Sequence, residues 1–553
     1  MPESLLNFCP FQCPVSGSQQ YRMVDNLTIR DIYRHFGQTL QTAGVYGMTN
    51  ISLVETGLRH SPGIKAMAVL IVLALSFATF ALCIGNSPGA EGSEVKVNTW
   101  GELKDALVNG EVGWISVESD IELDEDSDEP EIDHRVVTIE LNGHTIKGNH
   151  FKDSKYEGRF FYVGDMAFVT VQNGTIDTGF DDDGGCAYVE KDGSLQLINV
   201  VINNCGSSDD GGAIFVDGGL LTMYGGAINS CDSYDNAGAI YADNEALIEL
   251  NDVKLEGNTA DGHGGAIEII GAAKLIASGC HFEGNYCEDE GGAIYFEERS
   301  EKEKSENKII NCKFIENGTF QGDCGGAIYV KDNVVIINST SFQENEAGAD
   351  GGAIFLTESE VYIDSADFKD NRAANDDCQG GAIYVDDDSR LNLKNCNIIG
   401  NRAASNGGGI MVADDDDIAL KIENSVIIKD NKLGSWTEVF SDSNLRIDSD
   451  SVIECGPIDD TTEIWLSLKN GDRVFTSQFK QYGHEKDPAV FFKSDDTNRY
   501  VAADPDTGEA KLYGGSAGDM SDDNTMIIAA VIAVIAVILI AGGAYFYYKK
   551  KNA

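Results

Sequence analysis

The chain has 553 residues, with 91 acidic side chains against 40 basic ones and a formal net charge of −51. That balance excludes a nucleic-acid binder, because a phosphate backbone requires cationic partners. It suits a protein held soluble outside the cell, in a high-salt habitat or among divalent cations.

Residues 1–60 are polar and aperiodic. Cys9, Cys13, Arg59 and His60 lie there without a motif, and Met48 and Met67 are alternative starts. Residues 61–90 contain the uncharged apolar stretch Ala66–Gly85, preceded by Lys65 and followed by Asn86-Ser-Pro-Gly-Ala90. A basic flank, an apolar core and small residues read as a secretion signal cleaved near Ala90. At roughly 20 residues the same stretch is long enough to stay as a signal anchor, the alternative reading. Cys83 follows the bulky Leu82 and does not read as a lipid-attachment site.

Within residues 91–431 the first element is a helix over Thr99–Val108. Trp100, Leu103, Ala106 and Leu107 fall on one helical stripe and Thr99 can cap it. Such a helix would cover the open end of a β-structure whose unpaired edge otherwise invites aggregation. Short strands follow at Val136–Leu141 and Asn142–Ile146.

From Gly184 a hexapeptide recurs, as GGCAYV, GGAIFV, AGAIYA, GGAIEI, GGAIYF, GGAIYV, GGAIFL, GGAIYV and GGGIMV. Its copies start at 184, 211, 237, 264, 291, 325, 351, 380 and 407, so the spacing is 26 to 29 residues except for one interval of 34. A second signature, F-x-x-N, keeps the same phase at Phe282–Asn285, Phe314–Asn317, Phe342–Asn345 and Phe368–Asn371. Looser versions end at Asn258, Asn401 and Asn431, and Cys205 and Cys231 take the asparagine place in two earlier units. A fixed period with two phased motifs marks a repeat array.

About three strands of four to six residues fit each unit between its Gly/Asn/Asp turns. With no amphipathic helix between them, such units stack as the coils of a solenoid, equivalent strands lying in parallel ~4.8 Å apart. Asn258, Asn285, Asn317, Asn345, Asn371, Asn401 and Asn431 would then form a ladder of amides bonded along the axis. The usual crossover preference makes the helix right-handed. The fold class is therefore all-β, a right-handed parallel β-helix, with a C-terminal transmembrane helix added below.

Side chains alternate along a strand. The fourth and sixth hexapeptide positions are always apolar and face the core, so the fifth faces out, as the charge at Glu268 indicates. The other fifth positions include Tyr188, Phe215, Tyr241, Tyr295, Tyr329, Phe355 and Tyr384. An exposed row of rings on one face is a candidate ligand surface, offering flat faces to sugars or to a partner's apolar patch. The competing expectation is that the rings pack on one another and stiffen the sheet.

Acids gather before the glycines at Asp183, Asp210, Glu290, Asp323, Asp350 and Asp377. Stacked coils could align these carboxylates for Ca²⁺, the one cofactor considered; Asp in such turns also has a purely backbone reason. Ten cysteines follow the signal, an even number for an oxidising compartment. Cys205 with Cys231, and Cys280 with Cys312, sit at matching places in adjacent coils, near the separation a disulfide needs. Stacked free thiols are the other reading. Sequons occur at Asn173, Asn317 and Asn338, of which Asn317 is a ladder residue and should be buried. The interval of 34 holds the charged excursion Glu297–Asn307, read as a solvated loop, and Asp414–Asp417 is a similar acidic turn.

Residues 432–515 read as irregular final coils and a C-terminal cap, and residues 516–525 as a polar linker. Residues 526–548 are uncharged and end in Tyr545, Tyr547 and Tyr548, with the basic tail 549–553 beyond them. Length, aromatic belt and basic flank predict a single transmembrane helix with a cytoplasmic C-terminus. The β-helix is then extracellular and tethered to the cell membrane.

The paired GGA[I/L/V] and F-x-x-N signatures resemble the repeats of chlamydial polymorphic outer-membrane proteins and of adhesin-like β-helix surface proteins, over roughly residues 95–515. The resemblance implies a parallel β-helix and adhesion. One departure stands out. Those outer-membrane proteins end in a β-barrel translocator, whereas this chain ends in an apolar stretch and Lys549-Lys-Lys551, without an LPxTG-type signal. That ending suggests an envelope with a single membrane.

The same architecture is used by pectate lyases and polygalacturonases. Gly262-His263-Gly264 resembles the G-H-G of polygalacturonase-like glycosidases, and Asp182-Asp183 their paired acids, with Leu445-Arg-Ile-Asp448 the nearest match to a later R-x-K element. Yet Gly264 is also the first glycine of a repeat copy, and basic residues are scarce on the repeat face. The expectation is a non-enzymatic, membrane-anchored surface binding module for glycans or cell-surface proteins. A polysaccharide-degrading enzyme and a passive envelope component are the alternatives.

Overall fold

Each hexapeptide becomes one strand of a stacked coil, and the coil beginning at Gly325 is representative. Its strands are Ile328–Lys331, Val334–Asn338, Ser341–Gln343 and the two-residue Glu346–Ala347. The first three pair in parallel, residue for residue, with their counterparts in the coils before and after, and the two-residue strand also pairs in parallel on both sides. In this computed structural model residues 93–514 are described, apart from 124–128, 149–157, 300–305, 321, 414–418, 435–438, 470 and 483–484. The 1–60 extension, the signal segment, the linker, the 526–548 span and the basic tail lie outside the described residues. No helix among the described residues is long and apolar enough to cross a membrane.

The expectation of about three strands per coil misses the fourth. The two residues after the ladder asparagine form their own ladder, part of an 11-stranded sheet. Two residues are too few for an alternation pattern to register.

The alternation inside the hexapeptide holds: Ile294 and Phe296, Ile354 and Leu356, and Ile383 and Val385 are fully buried. The F-x-x-N phenylalanines face the same interior. Phe282, Phe314, Phe342 and Phe368 stack with ring centroids 4.6, 4.9 and 4.6 Å apart and nearly coplanar faces. Of the double glycine, Gly351 has φ +69°, and at Gly352 an added Cβ would lie 2.2 Å from the carbonyl oxygen of Gly381 in the next coil. The first glycine supplies a left-handed turn and the second a close approach between coils.

The asparagine ladder is present from Asn258 to Asn431. The side-chain nitrogen of Asn317 donates to Asn345 Oδ1 at 2.9 Å and to the Phe282 carbonyl at 3.0 Å, while its backbone N–H donates to the same Oδ1 at 3.1 Å. The pattern repeats coil by coil, so these amides are buried without an orphaned donor. Cys231 joins it at one end, its N–H donating to Asn258 Oδ1. At the other end Asn431 donates to Asn444, and Asn444 to Asp495 Oδ1.

A second polar column runs along the start of the second strand in four successive coils. Asn307 donates to Asn333 Oδ1 at 3.0 Å, Asn333 N–H to Ser359 Oγ, and Ser359 N–H to Ser389 Oγ.

At the N-terminal end Ser93–Val97 pairs in parallel with Val112–Val117. Between them a helix runs Trp100–Val108, with Thr99 accepting from the Glu102 N–H. Trp100, Leu103, Ala106 and Leu107 are buried, and the Trp100 ring meets Phe160 edge-on at 6.3 Å. At the other end Arg499–Ala503 and Ala510–Gly514 form an antiparallel hairpin.

Candidate functional site

The face to test is the hexapeptide strand and the turn that leads into it. The fifth-position side chains do form one row, in register along the axis. Tyr162 extends it at the N-terminal side, and the chain Tyr162, Tyr188, Phe215, Tyr241 stacks at 5.1, 5.0 and 4.9 Å. A second run, Tyr295, Tyr329, Phe355, Tyr384, stacks at 5.2, 5.0 and 5.1 Å.

The row is not exposed, and the expectation of exposure is corrected here. Tyr241, Tyr295, Phe355 and Tyr384 are buried, and Tyr188, Phe215 and Tyr329 half-buried. Two causes act. Rings one coil apart cover each other's faces, and residues of the neighbouring turns and strand ends close over them. Ala237 and Ile270 pack on Tyr241 and Tyr295, and Cys324 and Ala413 pack on the second run. A ring with a neighbour at ~5 Å on either side offers only its edge to a ligand. Sugar stacking, which uses the face, is thereby disfavoured.

Glu268 interrupts the row between Tyr241 and Tyr295. It is 1% exposed, and its Oε2 has no hydrogen-bond partner among the described residues. Burial pushes its carboxyl well above the usual range, with Asp210 adding repulsion and Arg299 opposing it. The charge that signalled an outward position at the sequence level is thus a buried, protonation-prone acid. His263 fills the gap, stacking on Tyr295 at 4.4 Å with its Nδ1 2.9 Å from Glu290 Oε2. Burial pulls its pKa down, but the Glu290 pair outweighs this and holds it above the ordinary histidine value.

The acids before the glycines serve the turn. Asp183 Oδ1 accepts from the Asp210 N–H at 3.2 Å, and Asp210 Oδ1 from the Asn236 N–H and side-chain amide. Asp350 Oδ1 accepts from the Gln379 N–H at 2.7 Å. Each carboxylate caps the next coil's backbone, the turn role that Asx side chains commonly play. Burial raises Asp210 and Asp350 to about 6. Among the described residues no group of three or more His, Cys, Asp or Glu is arranged to hold a metal ion.

The glycosidase-like elements are not brought together. Asp183 lies three coils from His263, about 14 Å at ~4.8 Å per coil, beyond the ~10 Å that paired carboxyls span. Arg446 is six coils further along and pairs with Asp448.

Sequence reasoning missed the second polar column and the extension of the asparagine ladder to Asp495. The column mixes Asn and Ser, so no single residue type repeats. Asp495 follows an irregular stretch in which the period is lost.

Three family models match parts of the chain. A right-handed β-helix region matches residues 301–479, a pectate lyase-like adhesive domain residues 94–210, and the Chlamydia polymorphic membrane protein repeat residues 279–297. No curated protein and no solved structure matches the chain. The polymorphic membrane protein match spans Phe282–Asn285 and the hexapeptide at Gly291, the two signatures that define the coil. The described chain is thus a β-solenoid built of right-handed β-helix repeats similar to those of adhesive and polymorphic membrane proteins.

Proposed function

We propose that this protein is an adhesin-like surface protein whose β-helix binds glycans or proteins of a cell surface. The observation that carries this reading is the match of residues 94–210 to an adhesive domain model, on the same solenoid as a polymorphic membrane protein repeat. The apolar 526–548 span with its basic tail supports a single-pass tether, with the β-helix outside the cell. Within this reading the fifth-position rings serve mainly the scaffold, and ligand contact along that face falls to the half-buried edges of Tyr188, Phe215 and Tyr329.

The test is binding by soluble residues 91–515 to a glycan panel and to partner cells, with saturable binding expected. Tyr188→Phe and Tyr329→Phe keep the stack and remove the outward hydroxyls; undiminished binding takes the row out of the contact. Anchoring is checked by membrane fractionation of the full chain with and without residues 526–553.

One observation favours a second reading, a polysaccharide-degrading enzyme. The adhesive domain model is itself lyase-like, and His263 forms a half-buried pair with Glu290. Release of unsaturated or reducing sugars from pectin-like polymers, lost on His263→Ala, would replace the adhesin reading.

A further inference from the structure

The 34-residue interval is the longest between hexapeptide copies, and the excursion enters between Ile294–Glu297 and Glu306–Ile310. Strand pairing is shorter there than in the next coil pair. Lys274–Ser278 pairs with the following coil only through Ile276, Ala277 and Ser278, whereas the next coil pair matches all five residues. The register stays continuous across the insertion, and the Leu275 N–H donates to Asn307 Oδ1 at 2.8 Å.

Cys280 and Cys312 bracket this coil. His281 pairs with Lys313, and the Lys313 N–H donates to the Cys280 carbonyl at 2.9 Å. The two cysteines therefore stand one strand spacing apart, ~4.8 Å between Cα atoms, inside the roughly 4.4–6.8 Å that a disulfide spans. Both side chains point into the interior and are 1% exposed; they stand as free thiols, Cys280 Sγ donating to the Ser278 carbonyl and Cys312 Sγ to the Ile310 carbonyl. The other thiol cluster is ambiguous, because Cys205 contacts both Cys186 and Cys231.

We propose that Cys280 and Cys312 form a disulfide in the mature protein, a clasp that closes residues 281–311 across the excursion. The thiolate of one cysteine attacks the disulfide of a thiol–disulfide exchange partner, and the second thiolate displaces that partner from the mixed disulfide. Two protons and two electrons leave the cysteines, and the partner departs as its dithiol. Burial of both sulfurs places this exchange before the coil closes over them. The bond constrains the unfolded chain most where the extra residues make it loosest.

The test is disulfide mapping of the full chain secreted through an oxidising compartment, denatured without reductant, alkylated and digested. Peptides carrying Cys280 and Cys312 are expected joined, separating on reduction. Alkylation of both residues, or linkage of either to another cysteine, overturns the proposal. A second measurement uses the double variant Cys280→Ala, Cys312→Ala, since alanine already occupies the same column at Ala366. Reductant present during heating should lower the unfolding midpoint of the wild type by several degrees and leave that of the variant in place. Equal shifts in both overturn the clasp.

Discussion

Two columns of rings run along this solenoid, one on each side of the coil wall. The inner column, Phe282 to Phe368, is uninterrupted, uniformly phenyl and fully buried. The outer column, Tyr162 to Tyr384, stacks at nearly the same spacing but mixes Tyr with Phe and is broken at Glu268. The difference lies in what covers them. The inner rings are enclosed by the coil itself, so only an apolar side chain is tolerated. The outer rings are closed over by small residues of adjoining turns, so hydroxyls persist where they reach solvent or acids, as Tyr188 reaches Asp217 at 3.2 Å. Regular stacking is therefore no sign of a binding face. It follows from parallel register wherever aromatic residues share a column.

Cutting each column should show the largest contrast. Phe342→Ala is expected to cost ~3–5 kcal/mol of stability, because it opens a cavity in a closed interior. Tyr329→Ala should cost less than half of that, since its site is half-buried and water can enter. Chemical denaturation of both variants checks the ratio, and equal losses would break the distinction between the columns.

Asn345→Ala comes next. It removes the acceptor used by the Asn317 N–H and side chain, leaving two buried donors unpaired at a cost of about 2–4 kcal/mol. Asparagine here is chosen for its paired donor and acceptor, so Asn345→Asp should rescue poorly.

A smaller effect separates the outer face by pH. Asp210 and Asp350 are raised to about 6, and Glu268 is raised well above the ordinary carboxylate range, all chiefly by burial. An acid with a raised pKa binds its proton more tightly in the folded state, so stability falls as pH climbs from about 4 through 6 and beyond. His263, also raised, loses stabilisation in the same direction. Melting temperature should therefore decline between pH 5 and 8. Asp210→Asn with Asp350→Asn should flatten the lower part of that decline, an exchange made natural by Asn236 and Asn406 at equivalent turns. Smallest is Glu268→Gln, expected to raise the midpoint at pH 8 and leave it nearly unchanged at pH 5. A rise of equal size at both values would mean that Glu268 acts by shape and not by charge.

These columns also mark how far the residues alone could be read. Ile294 and Phe296 could be assigned to the core because alternation and invariable apolarity agree. The asparagine ladder was legible because one residue type returned in phase. Alternation also assigned Tyr295 and Tyr329 correctly to the other side of the strand, but not to water or cover. That depends on Ala237, Ile270 and Cys324, turn and strand-end residues with no shared chemistry that meet the rings only after the coils stack. The two-residue fourth strand and the mixed Asn307–Ser389 column escaped for the same reason: neither leaves a periodic signature.

The asparagine ladder has a direction. Each amide-to-amide bond runs toward the following coil, and the series ends on Asp495, a carboxylate that receives two hydrogen bonds from Asn444 and passes none on. A coil duplicated or deleted anywhere inside the series rejoins the same donors to the same acceptors, while the terminus remains sealed. Gene rearrangement could thus lengthen or shorten the array in steps of ~4.8 Å without redesigning either end. The ladder that locks neighbouring coils also makes reach an adjustable quantity, inherited one coil at a time.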